Sequence, residues 1–328
     1  MYNYVLTCGD INGIGPEICV KALNKINQKK YNKVFFLIPH NVFLSLTNLI
    51  KPNFSFDLIK KISEIGSNKI QILDLGKANL DIGMPTKSSG KFAYKAINKS
   101  YELISQGLAE SVITAPISKS AFQLAGIAFP GHTELFAELS NTKKFGMMFL
   151  SDSFHAMLFT IHEPIKKISS MIKKKNLEEK IQLTLESLQN DLGIKNPKIA
   201  VLGLNPHAGE NGRIGNEESV ISKALIKFDD SVIGPLVPDA FFANKIYKNY
   251  DCTFGMYHDQ VLIPFKLLNF DKGVNFTIGL PFVRTSPDHG TAFDIAWKNK
   301  ANPQSIIESF KWADKILSNR KKLNVQSN

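Results

Sequence analysis

YVLTCGDINGIGPEICVKAL, residues 4–23, holds a short apolar run, a turn with three glycines and a helical pattern in immediate succession. Tyr4 to Leu6 is apolar and extended, and the turn spans Gly9 to Gly15. Pro16 suits a first helical position, and Glu17 favours the positive end of a helix. Ile18, Ala22 and Leu23 then follow with helical spacing. A strand feeding a helix through a glycine-rich turn is the opening half of a βαβ unit. The rest of the chain repeats that alternation. Val34 to Ile38, Ile70 to Leu75, Ser111 to Pro116 and Lys198 to Leu204 read as strands, and Phe149-Leu150 with Met157 to Ile161 as a strand pair. Lys91 to Ile104, with Ala93, Ala96, Ile97, Tyr101 and Ile104 on one stripe, reads as a helix, as do Leu177 to Leu192, Glu217 to Phe228 and Ile306 to Leu317. No internal repeat or low-complexity linker interrupts the series. The pattern predicts an α/β architecture built on a largely parallel sheet.

The chain has 328 residues, enough for a substantial core and two subdomains. A hydrophobic content of 44% with 21% charged residues is that of a globular protein. No apolar run approaches the ~20 residues of a membrane span, and the N-terminus enters a strand directly, without an export signal. Cys8, Cys19 and Cys252 form neither a CxxC pair nor a disulfide framework, so a reduced cytoplasm is the simplest setting. The net charge of +11 is spread over lysines mixed with acids, as in residues 173–180. It describes a solvated surface that can steer small anions. No basic motif interleaved with aromatics points to nucleic acid.

Chemistry-bearing residues concentrate in 252–303. There an apolar run ends in Tyr257-His258-Asp259-Gln260 ahead of Lys266, and Val274 to Leu280 breaks at Pro281 before Arg284. A glycine-bearing loop, Asp288 to Ala292, then opens a helical pattern. Three histidines share one setting: His162, His207 and His258 each follow a strand-like run. Ligands of open α/β sheets gather at the carboxyl ends of strands, where three imidazoles can meet around a cation and leave a position for substrate. No local ligand spacing such as HExxH supports this, and for any one histidine a surface loop or a hydrogen-bonded core position serves equally well. His132, in Gly131-His132-Thr133-Glu134, stands at a helix start, where amides and dipole welcome an anion; a plain helix cap is the competing account. Residues 9–15 do not match the GxGxxG spacing of dinucleotide-binding turns. They and the turn at 211–218 can each be simple tight connections.

Taken together, GDINGIGPE, TAPISK, GHTE, NPHAGENGRIGNEE, GPLVPD, YHDQVLIPFK, GVNFTIGLPFVRTSPDHGTA and the later ANP resemble the 4-hydroxythreonine-4-phosphate dehydrogenases of vitamin B6 synthesis. That family is similar in fold to the isocitrate and isopropylmalate dehydrogenases, with two domains about a central cleft. The resemblance implies one domain of residues 1–128 plus 271–328, carrying the cofactor loop. A middle domain, 129–270, would hold the metal-site histidines and the dimer contacts. It implies a homodimer whose cleft the partner completes, with no nucleic-acid or membrane partner.

Residue by residue, the resemblance implies a divalent cation (zinc, cobalt or magnesium) on His162, His207 and His258. Imidazole ligands favour zinc, cobalt or nickel. It implies substrate contacts from His132, Thr133, Lys266, Asn275 and Arg284, and the two cations suit an anionic substrate. Asp239 and Asp259 match polar positions near the substrate; with Lys266 they are the candidates for general base, and sequence does not choose among them. The segment from His289 and Gly290 through Asp294 to Asn302 resembles the adenine loop of the isopropylmalate dehydrogenases. An acidic Asp294 can accept from a ribose 2′-OH but repels a 2′-phosphate, so NAD is expected over NADP. The implied reaction oxidises 4-phosphohydroxy-L-threonine to a β-keto acid that decarboxylates to 3-amino-2-oxopropyl phosphate. A dehydrogenase of 4-phosphothreonate or 4-phosphoerythronate is the alternative within the family. A metal-dependent phosphate-ester hydrolase is the alternative outside it, and the adenine-type loop argues against that.

Overall fold

The computed structural model describes residues 1–326. Its strands are β1 (Asn3–Thr7), β2 (Lys33–Ile38), β3 (Phe56–Ile59), β4 (Ile70–Asp74), β5 (Ser111–Thr114), β6 (Gly146–Leu150), β7 (Ala156–Leu158), β8 (Ile199–Leu202), β9 (Val232–Leu236), β10 (Cys252–Gly255), β11 (Val274–Ile278) and β12 (Val283–Pro287). The chain divides into two compact units, one of Met1–Lys143 with Leu280–Leu317, the other of Lys144–Gly279 with the tail from Ser318.

In the first unit the strands run β3-β4-β2-β1-β5-β12, all parallel. Buried parallel strands read as continuous apolar runs because helices cover both faces. Accordingly Val5, Leu6, Val34, Phe36, Ile38, Val112 and Ile113 have no exposed surface. The helix Gly15–Lys25 lays Ile18, Cys19, Ala22 and Leu23 into this core. Tyr4 packs edge-on against Tyr31 with ring centroids 5.0 Å apart. The helix His132–Leu139 belongs to this unit, with Phe136 against Phe282 at 5.6 Å.

The second unit orders its strands β11-β6-β7-β10-β8-β9. β11 pairs antiparallel with β6 and β6 antiparallel with β7, whereas β7, β10, β8 and β9 run parallel. Phe265 anchors its core, 5.7 Å from Phe149 and 5.4 Å from Phe154. Such buried aromatic pairs contribute about 1 kcal/mol each beyond their apolar area.

Two local expectations are corrected. The run Met157 to Ile161 holds strand geometry only from Ala156 to Leu158, because the chain turns before His162. The helical pattern after Ala292 yields only the short 3₁₀ turn Phe293–Ile295. Ala292, Trp297 and Asn299 hold positive φ, which no right-handed helix accommodates.

Candidate active site

The first unit builds a buried cationic enclosure. Arg284 sits on β12 with 2% of its surface exposed, paired in register with Val112 of β5. Two residues along β5 on the same face, Thr114 accepts from Arg284 Nη2 at 2.8 Å and from Nε at 3.2 Å. Burial pushes the guanidinium down to about 9, while the Glu134 carboxylate pulls the other way, so it remains a cation at neutral pH. His132 begins its helix beside this charge. Burial, and then the positive field of Arg284, hold its imidazole well below the usual range. His132 is therefore neutral at pH 7. Its ring is partly covered, yet its Nε2 is fully enclosed and meets no hydrogen-bond partner among the described residues. An enclosed polar atom without a partner costs about 1–3 kcal/mol, which a ligand can offset. Thr133 is buried next to it. A guanidinium, a neutral imidazole, a hydroxyl and a helix N-terminus are together a donor set of the kind that can hold an anion.

The second unit carries the three histidines of the expected metal site. β7, β10 and β8 are parallel neighbours, so their carboxyl ends lie along one edge, and His162, His258 and His207 follow those ends. The rings of His162 and His258 are 5.8 Å apart between centroids and tilted by 35°. Two imidazoles sharing an ion at the usual metal–nitrogen distance put their centroids roughly 5 Å apart, so the pair fits a common ion in donor type and spacing. His258 Nδ1 lies 2.7 Å from Asp259 Oδ1, and with the proton on Nδ1 this leaves Nε2 as the lone pair for a cation. His207 does not complete the set. Among the described residues no three His, Cys, Asp or Glu side chains stand close enough together to hold an ion.

His207 lies instead in a turn where His207, Ala208, Gly209, Glu210 and Asn211 all have positive φ. Asn205 braces that turn: its Nδ2 donates to Glu217 at 2.8 Å and to Glu218 at 3.0 Å, and its N–H to Glu218 Oε1 at 2.7 Å. A cavity of about 580 Å³ opens there, lined by His207, Glu210, Asn211 and Glu218 among others. Asn275 stands on β11 with its Oδ1 enclosed and unpartnered among the described residues. Lys266 lies half-buried near the end of the helix His258–Asn269. Asp239 is exposed in the first turn of the helix Pro238–Ala243.

The residues expected to hold a cofactor lie in the first unit. His289 and the exposed Gly290 follow β12, Asp294 is exposed, and Asn302 Oδ1 accepts from Gln304 N–H at 3.0 Å. Lys298 Nζ donates to the carbonyl of Asp294 at 2.7 Å. Sequence reasoning missed Thr114 and Glu134. Neither has a local pattern to reveal it, because each acquires its role through the β5–β12 pairing and the helix packed near it.

The profile "Pyridoxal phosphate biosynthetic protein PdxA" matches residues 29–313. A 4-hydroxythreonine-4-phosphate dehydrogenase of Sulfurihydrogenibium sp. is 38% identical over 317 residues, spanning 95% of this chain and 98% of the relative. A D-threonate 4-phosphate dehydrogenase of Salmonella typhimurium is 37% identical over 318 residues, spanning 94% and 97%. The crystal structure of a 4-hydroxythreonine-4-phosphate dehydrogenase from Klebsiella pneumoniae superposes with a TM-score of 0.83 at 35% identity, covering 96% of this chain and 98% of that one.

Proposed function

The chain belongs to the family of the pyridoxal phosphate biosynthetic protein PdxA, and on that footing we propose that it oxidises 4-phosphohydroxy-L-threonine with NAD. The product is a β-keto acid that loses CO2 to give 3-amino-2-oxopropyl phosphate. The observation that carries this reading is the buried grouping of Arg284, His132 and Thr133, whose positive charge and hydrogen-bond donors suit a phosphorylated substrate. Arg284 supplies the charge, and neutral His132 can donate one hydrogen bond without adding a second charge. The enclosed Oδ1 of Asn275 can accept from an ammonium or hydroxyl group. Lys266 adds a further cation.

The His162–His258 pair supports a divalent metal, with zinc or cobalt favoured by imidazole donors. Bound there, such an ion supplies Lewis acidity toward the substrate hydroxyl. Asp259 holds the His258 tautomer, which leaves the Asp239 carboxylate as the group able to take the hydroxyl proton, since Lys266 as a cation has no lone pair to accept it. His289, Gly290, Asp294 and Asn302 would hold NAD, which when bound would supply the hydride acceptor. A homodimer is part of the proposal, because one chain does not assemble the histidine trio and a second copy can bring the missing ligand. Supporting it, Ile263, Leu267 and Phe270 form a stripe at helical spacing with 58%, 81% and 80% of their surface exposed, on the segment that begins at His258. No helix among the described residues is long and apolar enough to cross a membrane, which suits the cytoplasmic setting we propose.

Following nicotinamide absorbance with metal, NAD or NADP, and each substrate in turn tests this. Rapid NAD reduction with 4-phosphohydroxy-L-threonine is expected. Faster turnover of D-threonate 4-phosphate would support the second reading, which the Salmonella relative at 37% identity favours. Phosphate release without nicotinamide reduction would overturn both in favour of a hydrolase.

A further inference from the structure

The loop that would hold the dinucleotide is irregular from Asp288 to Pro303, with left-handed residues at Ala292, Trp297 and Asn299, so its shape must be imposed by what it rests on. It rests on the turn that opens the sequence. Ile14 N–H donates to the Thr291 carbonyl at 2.9 Å. Trp297 Nε1–H donates to the Ile11 carbonyl at 3.1 Å. Gly13 approaches Thr291 so closely that a Cβ there would lie 2.8 Å from its carbonyl oxygen. The firmest contact is at Ala301. Its N–H donates to Glu17 Oε1 at 2.9 Å, and its carbonyl accepts from Lys21 Nζ at 2.9 Å. Glu17 and Lys21 themselves pair at 2.8 Å, with Glu17 wholly buried and 16% of the Lys21 side chain exposed. One ion pair thus grips both polar groups of Ala301, immediately before Asn302.

We infer that Glu17 and Lys21 are positioning residues for dinucleotide binding: their clamp on Ala301 presets Asn302. This rests on the cofactor reading above and extends it to residues outside the loop. A loop held in its bound shape loses less conformational freedom when the ligand arrives, so removing the clamp should weaken NAD binding and leave the chemistry alone. The clamp also explains why a turn lacking the GxGxxG spacing carries Pro16-Glu17 and, one helical turn on, Lys21.

The test measures the NAD dissociation constant by calorimetry for wild type, Lys21→Met, Lys21→Arg and Glu17→Gln. Lys21→Met and Glu17→Gln are expected to raise it about five- to tenfold, less than the full loss of a charge-assisted bond because the ligand feels the clamp only through Asn302. Lys21→Arg, which can still donate to both partners, should stay near wild type. The kcat at saturating NAD and the KM for the phosphorylated substrate should change less than about twofold, since no clamp residue touches the reacting atoms. In an Asn302→Ala background the Lys21→Met effect should shrink, because both changes act through one contact. Unchanged NAD affinity in Lys21→Met, or a full effect persisting without Asn302, would overturn the inference while sparing the cofactor reading. A parallel loss of kcat and substrate KM with lowered Tm would reduce the clamp to a fold-stabilising role and also overturn it. Absence of NAD binding by wild type would overturn the cofactor reading and take the inference with it.

Discussion

The Arg284–His132 enclosure and the His162–His258 pair differ in one physical respect, solvent. Arg284 has 2% of its surface exposed and His132 Nε2 is sealed, whereas His162 is exposed and 40% of the His258 side chain is open. In the enclosed region folding has already stripped water from the charged group, and its ionisation is shifted by that burial. In the open region the two imidazoles remain accessible to solvent and His207 stands apart from them. On the proposed function, the anion-binding groups are set by folding, while the histidine pair depends on what joins it. Each of these statements can be broken separately.

The largest effect is expected from Arg284→Met. If Arg284 grips the substrate's phosphate as proposed, losing that buried cation should lower kcat/KM about a thousandfold, with circular dichroism confirming the fold. A drop below tenfold would remove the enclosure from the site. Next, Asp259→Asn should weaken metal binding by about 10- to 100-fold, as loss of a histidine's hydrogen-bond partner does. Equilibrium dialysis measures it. If metal affinity held while kcat collapsed, Asp259 would instead be the base.

Burial raises the Asp10 carboxyl from 3.8 to about 6, against hydrogen bonds from Asn12 N–H and the Ser89 hydroxyl, both at 3.0 Å. Between the two values the folded protein keeps a proton that the unfolded chain releases. This group's stabilisation is thus present at low pH and is lost as pH rises through about 6. Asp10→Asn does not titrate. Its stability relative to wild type should therefore rise by about 2 kcal/mol between about pH 4.5 and 7.5 in denaturant unfolding. A pH-independent difference would contradict the shift. The smallest effect is expected from Asp294→Ala. It should narrow the preference for NAD over NADP about fivefold, the cost of one ribose hydrogen bond to an exposed carboxylate.

The α/β architecture was legible because β1, β2 and β5 each carry an apolar run (Tyr4 to Leu6, Val34 to Ile38, Val112-Ile113) and the turns after them carry glycine or proline. β3 was not, since Phe56–Ile59 alternates with Asp57 and leaves Leu58 44% exposed. The helix His258–Asn269 was hidden by Pro264 inside it. Of the site, strand-end placement singled out His162, His207 and His258 alike; the structure brings the rings of His162 and His258 within 5.8 Å between centroids and leaves His207 apart. The Thr114 contact to Arg284 and the Glu17–Lys21 grip on Ala301 join residues far apart in the chain, and no local period records such pairings.

The segment His207 to Asn211 winds with the opposite hand to the α-helices among the described residues. An L-residue with a side chain is strained there by roughly 1 kcal/mol, and β-branched residues by more. Glycine at Ala208 or Glu210 should therefore raise the melting temperature, and valine at either should abolish the turn. Among natural replacements this stretch can drift only toward glycine, asparagine and aspartate. A synthetic protein carrying D-alanine at 208 would be steadier than the natural one.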